Sequence, residues 1–221
     1  MADREISTST GMGRMDTLEI VKKKYGVEGN GVHKLPFYRE KIYDLFKELG
    51  YKKGAEIGVS RGRNAKNIIA AIPDVLLYGV DCYQAVGQRT LGVQRRTRKI
   101  MKEKLSQEID SGRFVLIRKF SMDALPDIKN ESLDFVYIDA DHTFDFAMQD
   151  IIAWSKKVRN GGIVSGHDYY NSHKEGVGKA VNAYVNAHEI KNLFLTKGST
   201  SEATQGRRYG YAKSWFLVKE C

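Results

Sequence analysis

Apolar positions recur along this chain with two different periods, and the alternation between them predicts an α/β fold. Over residues 16–25 the side chains of Leu18, Val21 and Tyr25 fall at helical spacing, with Asp16 or Thr17 as the cap and Gly26 as the stop. Over residues 36–49 the pattern repeats through Phe37, Ile42, Leu45, Phe46 and Leu49, and Gly50 closes it. The period then shortens. Residues 53–59 form a short apolar run that predicts a strand, followed by a tight turn through Ser60, Gly62 and Asn64 and by a helix over 65–72 that stops at Pro73. Residues 75–80 predict a second strand, 90–110 a basic helical stretch, 113–118 a third strand, 133–138 a fourth, 144–158 a helix, and 161–165 a fifth strand entered through Gly161 and Gly162. A helix over 177–188 precedes two last strands, 193–196 and 214–218. No helix separates these two, so they are expected to pair as an antiparallel hairpin at the end of an otherwise parallel sheet.

At 221 residues the chain is long enough for one large globular domain, and no linker composition divides it. Its hydrophobic fraction of 42% and charged fraction of 29% are those of an ordinary globular protein. No apolar run approaches the roughly 18 residues of a membrane span. Residues 1–13 read as a polar tail and not as a secretory signal, so the expected location is cytoplasmic. Two cysteines, Cys82 and Cys221, give neither a disulfide framework nor a cysteine metal site, and Cys82 is expected as a small packing residue. The net charge of +9 favours an anionic partner. Much of the excess lies in Arg95, Arg96, Arg98, Lys99, Lys102 and Lys104, interleaved with Ile100, Met101 and Leu105. A solvated helix face accounts for that spacing, ahead of a substrate or nucleic-acid patch.

In an open parallel sheet ligands bind beyond the carboxyl ends of the strands, so the residues there belong together. They are Glu56, Gly58, Ser60 and Gly62 after the first strand, Asp81 after the second, and Ser121 and Asp123 after the third. Asp139, Asp141 and His142 follow the fourth, and His167 and Asp168 the fifth. The glycines of the first turn let backbone approach a cofactor closely. A dinucleotide fingerprint would place glycine at position 60, where serine stands, and a phosphate loop would need Gly-Lys followed by Ser or Thr, which is absent.

The order acidic-x-Gly-x-x-x-Gly in Glu56, Gly58 and Gly62, with Asp81 ending the next strand, resembles motif one of the class I S-adenosylmethionine-dependent methyltransferases. The resemblance covers residues 50–218. It implies a Rossmann-like α/β fold with a seven-stranded, mostly parallel sheet, an antiparallel strand near the C-terminus and helices on both faces. It also implies a division into an N-terminal tail with substrate-side helices (1–50) and a methyltransferase domain (51–221). Asp81 would hold the ribose hydroxyls of S-adenosylmethionine, since two vicinal hydroxyls donate well to one carboxylate. Ser121 and Asp123 would receive the adenine.

The stretch Tyr137-Ile138-Asp139-Ala140-Asp141-His142, taken with residues 161–168, narrows the resemblance to the metal-dependent O-methyltransferases of the catechol and macrolide sugar types. By that likeness Asp139, His167 and Asp168 hold a divalent ion, magnesium or manganese, and His142 is the general base. The family usually places an acidic residue or asparagine where His167 stands. Imidazole suits manganese, iron, nickel or zinc better than magnesium, so the substitution bears on metal identity, and it leaves open that His167 points at substrate or serves as a second base with Asp139 and Asp168 around the ion. Asp141 is either a carboxylate behind the ligands or an N-cap for the next helix. A histidine base resembles the sugar-hydroxyl branch, so the expected acceptor is a sugar, a glycan or another polyhydroxylated small molecule. Tyr169, Tyr170, His173 and the loop 197–211 would lie at the same sheet edge. The alternatives are a phenolic acceptor, RNA or DNA methylation, and a non-catalytic S-adenosylmethionine-binding module. Nucleic acid is not the expected partner, and the oligomeric state, a homodimer included, is left open.

Overall fold

A computed structural model describes residues 16–85, 90–169, 176–198 and 212–220. The polar tail, Tyr170, His173, Cys221 and residues 199–211 of the long loop lie outside them. In chain order the elements are α1 (Thr17–Tyr25), β1 (Gly31–Lys34), α2 (Glu40–Glu48), β2 (Lys53–Ile57), α3 (Arg63–Ala71), β3 (Leu76–Val80), α4 (Leu91–Lys104), α5 (Ser106–Asp110), β4 (Phe114–Ile117), β5 (Leu133–Ile138), α6 (Phe144–Ser155), β6 (Val158–Tyr169), α7 (Gly176–Ala187), β7 (Asn192–Leu195) and β8 (Lys213–Val218). A 3-10 turn, Met122–Asp127, links β4 to β5.

The strands form one sheet of eight in the order β1-β7-β8-β6-β5-β2-β3-β4. β8 runs antiparallel to both β6 and β7, so the expected terminal hairpin is present and all other neighbours are parallel. The expected count of seven is corrected by β1. This strand has four residues, three of them exposed, and therefore lacks the apolar alternation that marks a strand. The helical stretch over 90–110 breaks at Leu105 into α4 and α5. Arg95, Arg96, Lys99 and Lys102 are exposed on α4 while Met101 and Leu105 are buried, a solvated face over an apolar one. β6 outruns its expected end at Ser165 because β8 continues to pair with it as far as Tyr169. Cys82 is a free thiol and only partly buried. Among the described residues no helix is long and apolar enough to cross a membrane.

Apolar side chains fill both faces of the sheet. Val21, Ile42, Phe46, Ile68, Met101 and Leu105 from α1 to α4 and the α4–α5 junction pack on one side, and Ile151, Trp154, Ala180 and Val181 from α6 and α7 on the other. Residues buried on both faces explain why the central strands read as continuous apolar runs. At the centre Phe135 of β5 stacks on Phe46 with ring centroids 4.4 Å apart. The space it needs exists only because the neighbouring strand carries Gly54, where a β-carbon would lie 2.1 Å from the Phe135 ring. Pairing of Ile57 with both Val80 and Ile138, and of Ile138 with Gly166, brings the ends of β3, β2 and β5 level with Gly166, three residues before the end of β6.

Gly54→Ala is expected to destabilise the fold by about 1–3 kcal/mol, because the added methyl meets a ring with no room to retreat. An unchanged urea unfolding midpoint would show that the stack relaxes freely.

Candidate active site

Backbone packing, more than any side chain, sets the geometry at this edge. Gly58 has φ +91°, and a β-carbon there would sit 2.1 Å from the Asp139 carbonyl oxygen and 2.8 Å from the Ala140 Cα. The chain leaving β5 crosses directly over the turn leaving β2, and the Asp139 N–H donates to the Ile57 carbonyl at 2.8 Å. Gly62, with φ +69°, starts α3, and a β-carbon there would meet Leu105 at 2.9 Å and Met101 at 3.0 Å. Each glycine is thus required by the protein's own packing, whatever else approaches it.

Asp81 accepts the Ser60 N–H on Oδ2 and the Tyr83 N–H on Oδ1, both at 2.9 Å. The Tyr83 hydroxyl donates to the Ser60 carbonyl at 2.7 Å, and both Ser60 and Tyr83 have positive φ. This small clasp fixes the carboxylate and leaves each oxygen lone pairs for further donors. Glu56 is 1% exposed. Its Oε1 accepts from Asn64 Nδ2 at 2.8 Å, the Tyr43 hydroxyl donates to Asn64 Oδ1, and its Oε2 has no partner. Burial pushes this carboxyl up to about 8, against the Asn64 hydrogen bond.

Ser121 turns inward. Its hydroxyl donates to Asp150 and accepts from Trp154 Nε1 at 3.0 Å, which ties the turn after β4 to α6. Burial raises Asp150 to about 6. Asp123 is exposed on the 3-10 turn. Asp141 accepts the Thr143 N–H at 2.8 Å and its hydroxyl at 2.6 Å, so this carboxylate shapes the turn into α6.

Asp139, His142 and Asp168 converge, and one ligand atom from each lies within 4.8 Å of the others. His142 Nε2 is 3.0 Å from Asp168 Oδ2 and 3.8 Å from Asp139 Oδ1. His167 is buried and approaches the set only through Asp168, with Nδ1 at 3.3 Å from Oδ2. The close trio therefore contains His142 in place of His167. Asp168 holds φ at +58°, a left-handed conformation uncommon outside glycine, where the β6–β8 register shifts. Burial opposes the charge on Asp168, but hydrogen bonds from His142 and His167 outweigh it and hold the carboxyl well below its usual range. The neighbouring carboxylates of Asp139 and then Asp168 push the half-exposed His142 up to about 10. Burial lowers His167, yet its Asp168 hydrogen bond and the Asp139 charge leave it raised.

Five further side chains in this region have no site role assigned from the sequence. Tyr137 bonds Ser214 at 2.8 Å between the two hydroxyls, Tyr43 and Asn64 support Glu56, and the Arg39 charge opposes the rise that burial gives the Tyr137 hydroxyl. Arg39 is one of 36 lysines and arginines, and only the fold distinguishes it.

Two outcomes follow from this packing and charge. A β-carbon at Gly176 would lie 2.2 Å from the Phe144 nitrogen and 2.5 Å from the His142 carbonyl oxygen. Gly176→Ala should therefore displace the His142 segment and shift the ring's NMR resonances while the Asp81 side is unperturbed; superimposable His142 signals would refute the contact. The folded pKa of His142 exceeds the ordinary 6.5, so its pairing stabilises fully below about pH 6.5 and is lost as pH rises through about 10. In metal-free protein the stability gap between parent and His142→Ala is expected to close between about pH 7 and 10, and a gap that widens with pH would overturn the sign.

The fold and family are settled by likeness to known proteins. The family described as "Methyltransferase domain" matches residues 55–169, just over half of the chain. No curated protein matches the chain by sequence. Among solved structures, the O-methyltransferase of tomaymycin synthesis from Streptomyces achromogenes is 16% identical, with 96% of this chain and 93% of that one covered and a TM-score of 0.57. An O-methyltransferase from Bacillus cereus is 15% identical, with 95% and 94% covered and a TM-score of 0.58. A precorrin-6y C5,15-methyltransferase from Geobacter metallireducens is 11% identical, with 81% and 87% covered and a TM-score of 0.53. These neighbours share the Rossmann-like α/β architecture, and the match over 55–169 places the glycine turn, Asp81 and the Asp139–His142–Asp168 trio within one recognised unit: the chain belongs to the methyltransferase-domain family.

Proposed function

We propose that the protein transfers a methyl group from S-adenosylmethionine to a hydroxyl of a sugar or another small polyhydroxylated acceptor. The observation that carries this reading is the convergence of Asp139, His142 and Asp168 at one sheet edge, two strands away from the Asp81 clasp. Two of the structural neighbours are described with S-adenosylmethionine or S-adenosylhomocysteine bound, which supports the donor. In this reading Asp81 holds the ribose through the lone pairs its backbone donors leave free. Glu56, Gly58, Ser60 and Gly62 shape the donor's pocket beside it. Asp123 takes the adenine, while Ser121 braces that turn against Asp150 and Trp154.

The trio fits a divalent ion. Two carboxylates with ligand atoms inside 4.8 Å of one another and of an imidazole nitrogen would suit magnesium or manganese, and the nitrogen would favour manganese or another transition ion only where it joins them as a ligand. An ion held there supplies Lewis-acid stabilisation of negative charge on an acceptor oxygen. Asp139 and Asp168 are the ligands in this reading, with His167 steering Asp168 from behind. His142 takes the acceptor's proton at Nε2. Without a cation beside them, the two carboxylates keep that nitrogen protonated, as its raised pKa shows. A cation held by Asp139 and Asp168 would offset their negative charge, weaken their hold on the proton and let the ring act as a base near neutral pH. The methyl group passes from sulfonium to oxygen, the new O–CH3 bond forming as the S–CH3 bond breaks, with the proton left on His142.

The distance of 3.0 Å between His142 and Asp168 favours a second reading in which His142 is itself a ligand. Labelled methyl transfer to a panel of glycosides, phenols and RNA, with chelator and with restored manganese, tests the proposal. Glycoside methylation that chelator abolishes and manganese restores is the expected result, and turnover intact in excess chelator removes the metal. His142→Ala is expected to lose turnover by about 100-fold or more while manganese and donor affinity persist. Loss of manganese affinity in that variant supports the ligand role instead.

A further inference from the structure

Away from the site, the outer face of α4 gathers charge of one sign. The turn of an α-helix places Leu91, Arg95, Arg96, Lys99, Lys102 and Glu103 on one side of it, and all six are exposed. Gln94 and Met101, its buried residues, lie on the other side. The acid on this face, Glu103, approaches Lys99 at 3.8 Å, a contact between two well-solvated groups that holds neither strongly. Among the described residues Arg95, Arg96 and Lys102 have no acidic partner. The charge extends past the helix. A β-carbon on Gly62 would meet Met101 and Leu105, so the start of α3 lies against α4, and Arg61 and Arg63 on either side of that glycine are exposed and without an acidic partner as well.

Unpaired charge of one sign attracts an anionic surface, and two features of this face select the kind. Leu91 on the face and Val93 beside it are each 53% exposed, so its first turn presents aliphatic side chains to the solvent. No aromatic residue occurs in α4. Single-stranded nucleic acid is held in a basic groove with aromatic rings against its bases, whereas this is the convex side of one helix without a ring. A basic helix with exposed aliphatic residues suits a sheet of anionic headgroups over an apolar interior.

We infer that α4 docks the protein on an anionic phospholipid bilayer. Arg95, Arg96, Lys99 and Lys102 meet the headgroups, Leu91 and Val93 enter the acyl boundary, and Arg61 and Arg63 add charge at the rim. The chain lies on the surface and does not span it. Its orientation follows from the connection. β3 and β4 are parallel, so the chain leaves β3 at its carboxyl end and α4 begins at the sheet edge that carries Asp81 and the Asp139–His142–Asp168 trio. Insertion of Leu91 and Val93 therefore brings that edge to the membrane. The inference depends on neither the acceptor nor the metal proposed above.

Flotation of the full chain with lipid vesicles tests it. The parent is expected to bind vesicles of phosphatidylcholine with about one-third phosphatidylglycerol but not phosphatidylcholine alone, and to lose about 10-fold or more in affinity between about 50 and 500 mM salt. A cation near such a surface contributes about 5-fold, so Arg95→Gln, Lys99→Gln and Lys102→Gln together are expected to weaken binding by about 100-fold. A control with Lys23→Gln, Lys52→Gln and Lys156→Gln removes the same charge from exposed lysines elsewhere and is expected to lose less than about 5-fold. Leu91→Ser with Val93→Ser keeps every charge and is expected to weaken binding by about 10-fold. All these side chains are exposed, and circular dichroism checks that each variant stays folded. A parent that ignores the anionic vesicles overturns the inference. An equal loss in the control assigns the effect to net charge and overturns the docking face, and full binding by the Leu91 and Val93 variant overturns the insertion. Single-stranded RNA bound through the α4 cations in preference to vesicles overturns the choice of partner.

Discussion

The arrangement of this protein depends on one close crossing of backbone, the passage of Asp139 and Ala140 over Gly58. Only a residue without a β-carbon permits it, and the Asp139 N–H to Ile57 carbonyl bond closes it. The crossing joins the two halves of the site, because the turn after β2 leads through Ser60 to Asp81 and the turn after β5 leads to His142. Parallel pairing keeps the strand ends level, and the crossing makes the two turns one surface. A side chain at position 58 would separate them before it touched any ligand.

Charge is the second constraint. Two carboxylates, Asp139 and Asp168, stand beside two imidazoles, and Asp168 is held in a left-handed backbone conformation that orders it toward His142. Such strain persists only where surrounding structure over-determines it, here the continued pairing of β6 with β8 past the irregularity. The protonation of His142 and the charge of the two carboxylates are therefore linked, and each can be read through the other.

Much of this was legible in the sequence, for reasons that belong to particular residues. The glycine turn, Asp81, Asp139 and His142 stand at the ends of apolar runs, and a run that stops at a carboxylate is visible without a structure. The helices and central strands were legible because both faces of the sheet are buried. β1 was not, because its four residues are mostly exposed and gain their place only by pairing with a distant strand. Ser121 matched a position in a pattern, yet its hydroxyl faces Asp150, and spacing carries no information about which way a side chain turns. The Asp139–His142–Asp168 trio bears on the same point. His167 and Asp168 are adjacent in a strand and so point to opposite faces unless the backbone departs from regularity, and the positive φ of Asp168 is such a departure. Arg39 and the buried Glu56–Asn64–Tyr43 chain are products of tertiary packing with no local signature.

The pairing of β1 with β7 also bears on how the molecule comes into being. His33 and Asn192 touch at 2.9 Å across 159 residues of chain, so one edge of the sheet closes only after synthesis has reached Asn192. Contacts so far apart in sequence form late, since the entropy of closing the intervening chain opposes them until the rest is compact. The glycine turn and Asp81 belong to a contiguous β2-α3-β3 unit that can organise early during synthesis. The segment bearing Arg39 acquires a fixed place only when β7 arrives to receive Leu35. Assembly of this sheet edge thus has a built-in order, with the Asp81 side first and the segment bearing Arg39 last.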